Sequence, residues 1–252
     1  MAEDRSPYFI GFLPVPMGLR PFLLTIAAAL LVLFAGVGLL IGATQDDPGP
    51  GAFRFDYGRQ TVTGVLELRP YPLIRVIEGS EHVPAGRTLM LSGGGKTGVM
   101  DRAMPLDGQL ATASGVILSR GDLDMLQVRG GAAGLGPAEG AAPAPETEQL
   151  GRWRLSGEIC DGKCLVGAMR PGRGLAHKAC ANLCIVGGVP PVFVSTQPME
   201  GSAFLLVAGP DGGDMPAALL DDVGAFIELE GEVERRGDLL ILRADPSSLR
   251  VL

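Results

Sequence analysis

Aromatic residues are scarce, at 5% of the chain, whereas glycine (38) and proline (20) are abundant. That mix disfavours a helical bundle and suits short strands joined by many turns. Positive charge is also short: 21 lysines and arginines against 28 acidic residues leave a net charge of -7. The chain therefore has no electrostatic footprint for nucleic acid. Several catalytic signatures are missing as well. There is no G-x-S-x-G elbow, no H-E-x-x-H and no C-x-x-C-H haem-attachment motif. Only two histidines and four cysteines are present, so imidazole and thiolate chemistry can occur in few places.

Long apolar runs are absent except for one. Pro21 to Ala43 (PFLLTIAAALLVLFAGVGLLIGA) carries no charge and accounts for much of the mean hydropathy of +0.28. A hydrocarbon core of about 30 Å needs ~20 apolar helical residues, so residues 21–43 are expected to span a membrane. A cleaved signal peptide is the alternative, but its apolar region is usually ~7–15 residues and IGATQDD is a poor cleavage site. Arg5 and Arg20 precede the run, and Asp46 and Asp47 follow it. The positive-inside rule then expects a cytoplasmic N-terminus and a bulk chain on the far side, in the periplasm of a bacterial inner membrane. Arg54 and Arg59 argue weakly the other way. Residues 1–20 read as a cytoplasmic segment lying along the interface, with Tyr8, Phe9 and Phe12 as anchors, or as a disordered tail.

Two spacers follow. Residues 44–52 (TQDDPGPGA) form a neck, and residues 130–149, rich in Gly, Ala, Pro and Glu, lack hydrophobic periodicity. They delimit two segments, 53–129 and 150–252, which resemble each other. GVILSRGDLDMLQV, from Gly115, aligns with GEVERRGDLLILRA, from Gly231, pairing Arg120 with Arg236, Gly121 with Gly237 and Asp122 with Asp238. Both read as strand, Arg-Gly-Asp turn, strand. TLMLSGG (Thr88–Gly94) matches AFLLVAG (Ala203–Gly209), and TVTGVLEL (Thr61–Leu68) matches WRLSGEIC (Trp153–Cys160). Three blocks in one order indicate tandem duplication. The expected fold is mainly β: an N-terminal transmembrane helix, then two small Greek-key barrels of the OB type, with a half-open sandwich as the alternative.

The copies differ in one place. Gly64 and Gly115 are 51 positions apart, and Gly157 and Gly231 are 74 apart. Much of the excess is assigned to an insert, residues 160–188, which holds Cys160, Cys164, Cys180, Cys184 and His177. Glycines before and after LAHKACANLCIV predict a short helix with His177, Cys180 and Cys184 on one face. Three readings follow. The four cysteines can form two disulfides between the 160/164 and 180/184 pairs, as an oxidising compartment favours. Cys164, His177, Cys180 and Cys184, with Cys160 as a further thiol, can bind zinc, copper(I) or iron. The Cys160/Cys164 and Cys180/Cys184 pairs can also exchange thiols or transfer metal, with Lys163 and Lys178 lowering thiol pKa values.

SGEICDGKC, with H-x2-C-A-x2-C-I-x-G-G-V-P-P after it, resembles a bacterial family of exported or membrane-anchored small β-barrel proteins. Their motif runs roughly G-x-[IV]-x-D-x-x-C, then a histidine or polar residue, then C-x3-C-[IV]-x-x-G. The likeness covers about Gly157 to Pro191 and falls on Asp161, Cys164, His177, Cys180 and Cys184. Cys160 stands where an aliphatic residue is expected. The resemblance implies the barrel fold and the importance of the insert; it implies no reaction.

GGGKTG (Gly93–Gly98) fails the P-loop spacing, because Met90 stands where the first glycine should be, and reads as a hairpin tip. His82 reads as a solvated loop residue. Tyr71, between two prolines, reads as a packing residue, and Arg69 and Arg75 as candidates for a ligand surface. The function expected is a non-enzymatic accessory or binding subunit, tethered to the inner membrane beside a membrane or periplasmic oxidoreductase. The alternative is a thiol-disulfide or metal-transfer protein.

Overall fold

A computed structural model describes residues 15–45, 49–143 and 146–252. The expected anchors Tyr8, Phe9 and Phe12 lie outside the described residues, as do Asp46, Asp47 and Pro48 of the neck. A 3-10 turn, Met17–Leu19, leads into α1, Arg20–Gln45. Pro21 is tolerated there because the first-turn N–H groups have no intrahelical acceptor. Met17–Ala43 is long and apolar enough to cross a membrane. At ~1.5 Å per residue it exceeds the ~30 Å needed.

Residues 48–252 form a separate compact unit. Its first strands are β1 (Ala52–Phe53), β2 (Gln60–Glu67), β3 (Leu73–Glu78) and β4 (Thr88–Ser92). After the short α2 (Met100–Ala103) come β5 (Leu110–Arg120), β6 (Leu123–Val128) and β7 (Leu135–Pro137). The later strands are β8 (Thr147–Asp161), β9 (Pro191–Met199), β10 (Ser202–Ala208), β11 (Ile227–Arg236) and β12 (Leu239–Val251). These five close into a barrel, β10-β12-β11-β8-β9, in which β10 and β12 are parallel. The earlier sheet runs β1-β5-β2-β3-β4-β6, with β5 also paired to β6 and β7. There too one neighbouring pair is parallel, β4 with β6.

The aligned residues do the same work in both segments. Gly121 and Gly237 turn their hairpins at φ 58° and 64°, a region that disfavours side chains. A Cβ on Gly115 would lie 2.1 Å from the carbonyl oxygen of Gln127, and one on Gly231 would lie 2.4 Å from that of Arg243. Only glycine lets the neighbouring strands approach so closely.

Three cores result. One belongs to the first segment (Leu66, Ile74, Leu89, Leu91, Leu126) and one to the second (Ile159, Phe193, Leu205, Val207, Leu242). The third is shared: Met90, Leu118 and Met125 meet Val192, Phe204, Leu206 and Ile241. Alternation explains it, since successive strand side chains point to opposite faces. Leu205 and Val207 face into the barrel while Phe204 and Leu206 face the other segment. A side chain of this size contributes about 1.5–3 kcal/mol when fully buried. Polar contacts add to the joint: Asp238 accepts from the Thr88 amide at 2.9 Å, and Tyr71 accepts from that of Met215 at 3.0 Å. Tyr71 is therefore buried packing.

Part of the expected spacer is ordered. Leu135 is buried in the first core, β7 pairs with β5, and β8 already begins at Thr147. A single leucine among glycines carries too little pattern to show this in sequence.

Candidate metal centre

The β2–β3 connection takes residues 68–72, whereas the β8–β9 connection takes residues 162–190. The longer one opens with an irregular turn, Cys164–Ala168, broken at Gly167 (φ 139°). A 3-10 turn, Leu175–His177, then runs into α3, Lys178–Val186. Cys180 and Cys184 lie one helical turn apart on α3, and the turn after β8 brings Cys164 to them. The three sulfurs all lie within 4.8 Å of one another, with Cys164 and Cys180 at 4.0 Å.

His177 stands differently from the expected four-ligand set. It groups with Asp161 and Cys164, and Cys164 alone is common to both clusters. Its Nε2 is 3.0 Å from the Asp161 carboxylate, and the two residues are 5% and 0% exposed. The other Asp161 oxygen accepts from the Cys164 amide at 2.8 Å. Asp161 therefore ties the imidazole to the start of the Cys164 turn. The imidazole orients from behind; the thiols line the open side.

Cys160 is buried in the shared core and belongs to neither cluster. Burial pushes its pKa well up. All four cysteines are free thiols, so the disulfide framework is not formed. As a strand residue, Cys160 points to the face opposite its neighbours Ile159 and Asp161, into the core that Cys164 and Cys184 also enter, but its sulfur does not group with theirs.

The first segment completes the site. GGGKTG is no hairpin tip: β4 pairs in parallel with β6, and this turn leads on to α2. It docks on the glycines that end α3. The Gly98 amide donates to Gly187 at 2.7 Å, and a Cβ on Gly187 would lie 2.0 Å from the carbonyl oxygen of Lys96. This contact brings the Lys96 ammonium 2.6 Å from the Cys180 sulfur and 3.9 Å from that of Cys184. From the other side Lys163 donates to the carbonyls of Gly93 and Gly95 at 2.7 and 2.8 Å. Lys163 is buried, which lowers its pKa, while the sulfur contact raises that of Lys96.

A cavity of about 330 Å³ opens over the thiols, bounded also by Phe53, Gln127, Arg129 and Met169. Its charged side chains, Lys96, Arg129 and Lys163, are all cationic. A hydrogen bond from the Cys164 thiol, helped by Lys96, holds Cys184 below the ordinary thiol range. The same shared proton, with burial, holds Cys164 above it. The arrangement can stabilise thiolate and accept a soft cation.

Sequence reasoning found Cys164, Cys180 and Cys184, missed Lys96, and met Asp161 only through the family resemblance. A lysine between glycines in a distant turn carries no signal of contact with cysteines 84 positions away. His82 is exposed, stacked on Tyr57 with ring centroids 4.1 Å apart. Comparison with family models, curated proteins and solved structures finds no match for this chain.

Proposed function

We propose that this chain is a membrane-tethered accessory protein whose Cys164, Cys180 and Cys184 hold a thiophilic metal ion. The convergence of three unbridged sulfurs within 4.8 Å carries the reading. Thiolates at that separation suit zinc, copper(I) or iron, and the fourth position would face the cavity. Three thiolates around such a cation leave a net negative charge, which Lys96, Arg129 and Lys163 would offset. Asp161 and His177 orient the turn behind the ligands, as outer residues do at metal sites.

The finer architecture belongs to the same reading. The β5–β6 ladder gives the first sheet the pairings seen in the closed barrel, including the parallel pair, which supports two tandem OB-like barrels. The Cys/His segment is then an insert in the second. The charges flanking α1 support a cytoplasmic N-terminus, with the barrels on the periplasmic side of a bacterial inner membrane. Exposed Leu175, Leu183 and Val186 on the α3 segment support docking against a membrane or periplasmic oxidoreductase.

The test is a metal and thiol count on the full chain, purified in neutral detergent without chelator or reductant. One metal per chain with three protected thiols is expected. Cys164→Ser and Cys184→Ser should lose the metal, and Cys160→Ser should keep it. A metal-free protein in which Cys164 and Cys180 are oxidised would overturn this assignment and favour thiol–disulfide exchange, which their 4.0 Å separation supports. In that step the two thiols give up two electrons and two protons to a partner's disulfide, which leaves as a dithiol.

A further inference from the structure

Arg120 and Arg236 occupy the same place in the two Arg-Gly-Asp turns, yet their surroundings differ in charge. Arg236 donates to Glu67 at 3.2 Å, to the carbonyl of Arg69 at 2.7 Å and to Glu234. Counting from the paired glycines, the residue matching Glu67 is Cys160 and the residue matching Glu234 is Leu118. Arg120 thus has a thiol and an aliphatic chain where Arg236 has two carboxylates. Its Nη1 reaches the carbonyl of Leu165 at 3.4 Å, and its Nε is buried without a partner among the described residues. Glu158 is the carboxylate that acts on Arg120, but Glu158 is shared with Arg173 at 3.5 Å and accepts from the Gly174 amide at 2.9 Å, so the partly buried guanidinium is only partly matched in charge.

A cleft of about 220 Å³ lies beside it. Arg170 and Arg173 enter from the turn that follows Cys164, and among the described residues no acidic side chain lines the cleft. Arg170 Nη2 has the carbonyl of Gly51 at 3.3 Å, and Arg173 Nε has Glu158 at 3.5 Å, which leaves most of their donors unused. We infer that Arg120, Arg170 and Arg173 form a binding site for a phosphate-type oxyanion. A single fork satisfies a carboxylate bidentately; three forks converging suit the several oxygens of a tetrahedral anion. The phosphate can belong to a soluble monoester or to the headgroup of an anionic lipid. The inference does not depend on the metal reading.

The experiment is calorimetric titration of the full chain in neutral detergent. Inorganic phosphate and glycerol 3-phosphate form one arm. Micelles doped with phosphatidylglycerol, against phosphatidylcholine, form the other. Saturable binding is expected in one arm, and Arg170→Gln with Arg173→Gln should weaken it at least about tenfold. Both side chains are exposed, so the melting temperature should hold. Arg120→Leu should abolish binding and keep or raise the melting temperature, because it removes a buried, unpartnered Nε and a charge that is only partly matched; a merely structural arginine would give a drop. Binding of the soluble esters identifies a soluble ligand, and binding of phosphatidylglycerol micelles alone identifies a headgroup. Binding in neither arm, or binding equal in the variants, overturns the proposal.

Discussion

The Lys96 ammonium, from the turn after β4, lies 2.6 Å from the sulfur of Cys180 on α3. The contact joins two parts of the chain that share no sequence motif. It makes the electrostatics of the thiols depend on how the two segments fit together.

Replacing Lys96 with Gln should therefore raise the pH at which Cys184 reacts, because a cation that favours its thiolate is lost. Alkylation of Cys184 near neutral pH should slow by roughly three- to tenfold. Gly187→Ala should do the same from a distance, since the new Cβ would meet the Lys96 carbonyl oxygen and push the turn away. Mass spectrometry of alkylated peptides against pH reads both. Unchanged profiles would show that Lys96 does not control the thiols.

The Asp161–His177 pair is buried, so removing one member leaves the other unmatched. Asp161→Ala should cost about 3–5 kcal/mol in denaturant unfolding. Asp161→Asn should cost less, because it can still accept from the Cys164 amide. Equal losses for the two variants would mean that the amide bond contributes little and the charge decides.

The shared core predicts that the two segments unfold together. Phe204→Ala should cost about 3–5 kcal/mol, and Met125→Ala about 2–5 kcal/mol. Each loss should appear in one transition, followed equally by probes in either segment. Two separate transitions in the unaltered protein would refute the coupling.

Burial pushes the Tyr71 phenol up to about 12. A phenol normally ionises near pH ~10. Between those values the unfolded chain has lost this proton and the folded chain retains it, so stability must fall as pH rises. Below pH ~10 the contribution is fully present, worth roughly 2–3 kcal/mol. Tyr71→Phe should flatten this slope, as read by denaturant midpoints across that range, and should remove a tyrosine step at about 12 in an ultraviolet titration. An unchanged slope would refute the assignment.

Local pattern and spacing made much of this molecule legible. The apolar run announced α1, since one helix long enough to cross a bilayer needs no tertiary context. Paired glycines and the two Arg-Gly-Asp turns announced matching hairpins, because a tight turn and a close strand crossing each demand glycine wherever they occur. The spacing of Cys180 and Cys184 placed both on one face of a short helix. Contact across the molecule was not encoded in that way. Which face of β4, β6, β10 and β12 would meet the other segment, that Lys96 would reach the thiols, that His177 would turn to Asp161, and that Arg120 would lose the carboxylates Arg236 keeps were all decided by tertiary packing. Strand alternation makes two faces available, and only the docking of the segments chooses what each one meets.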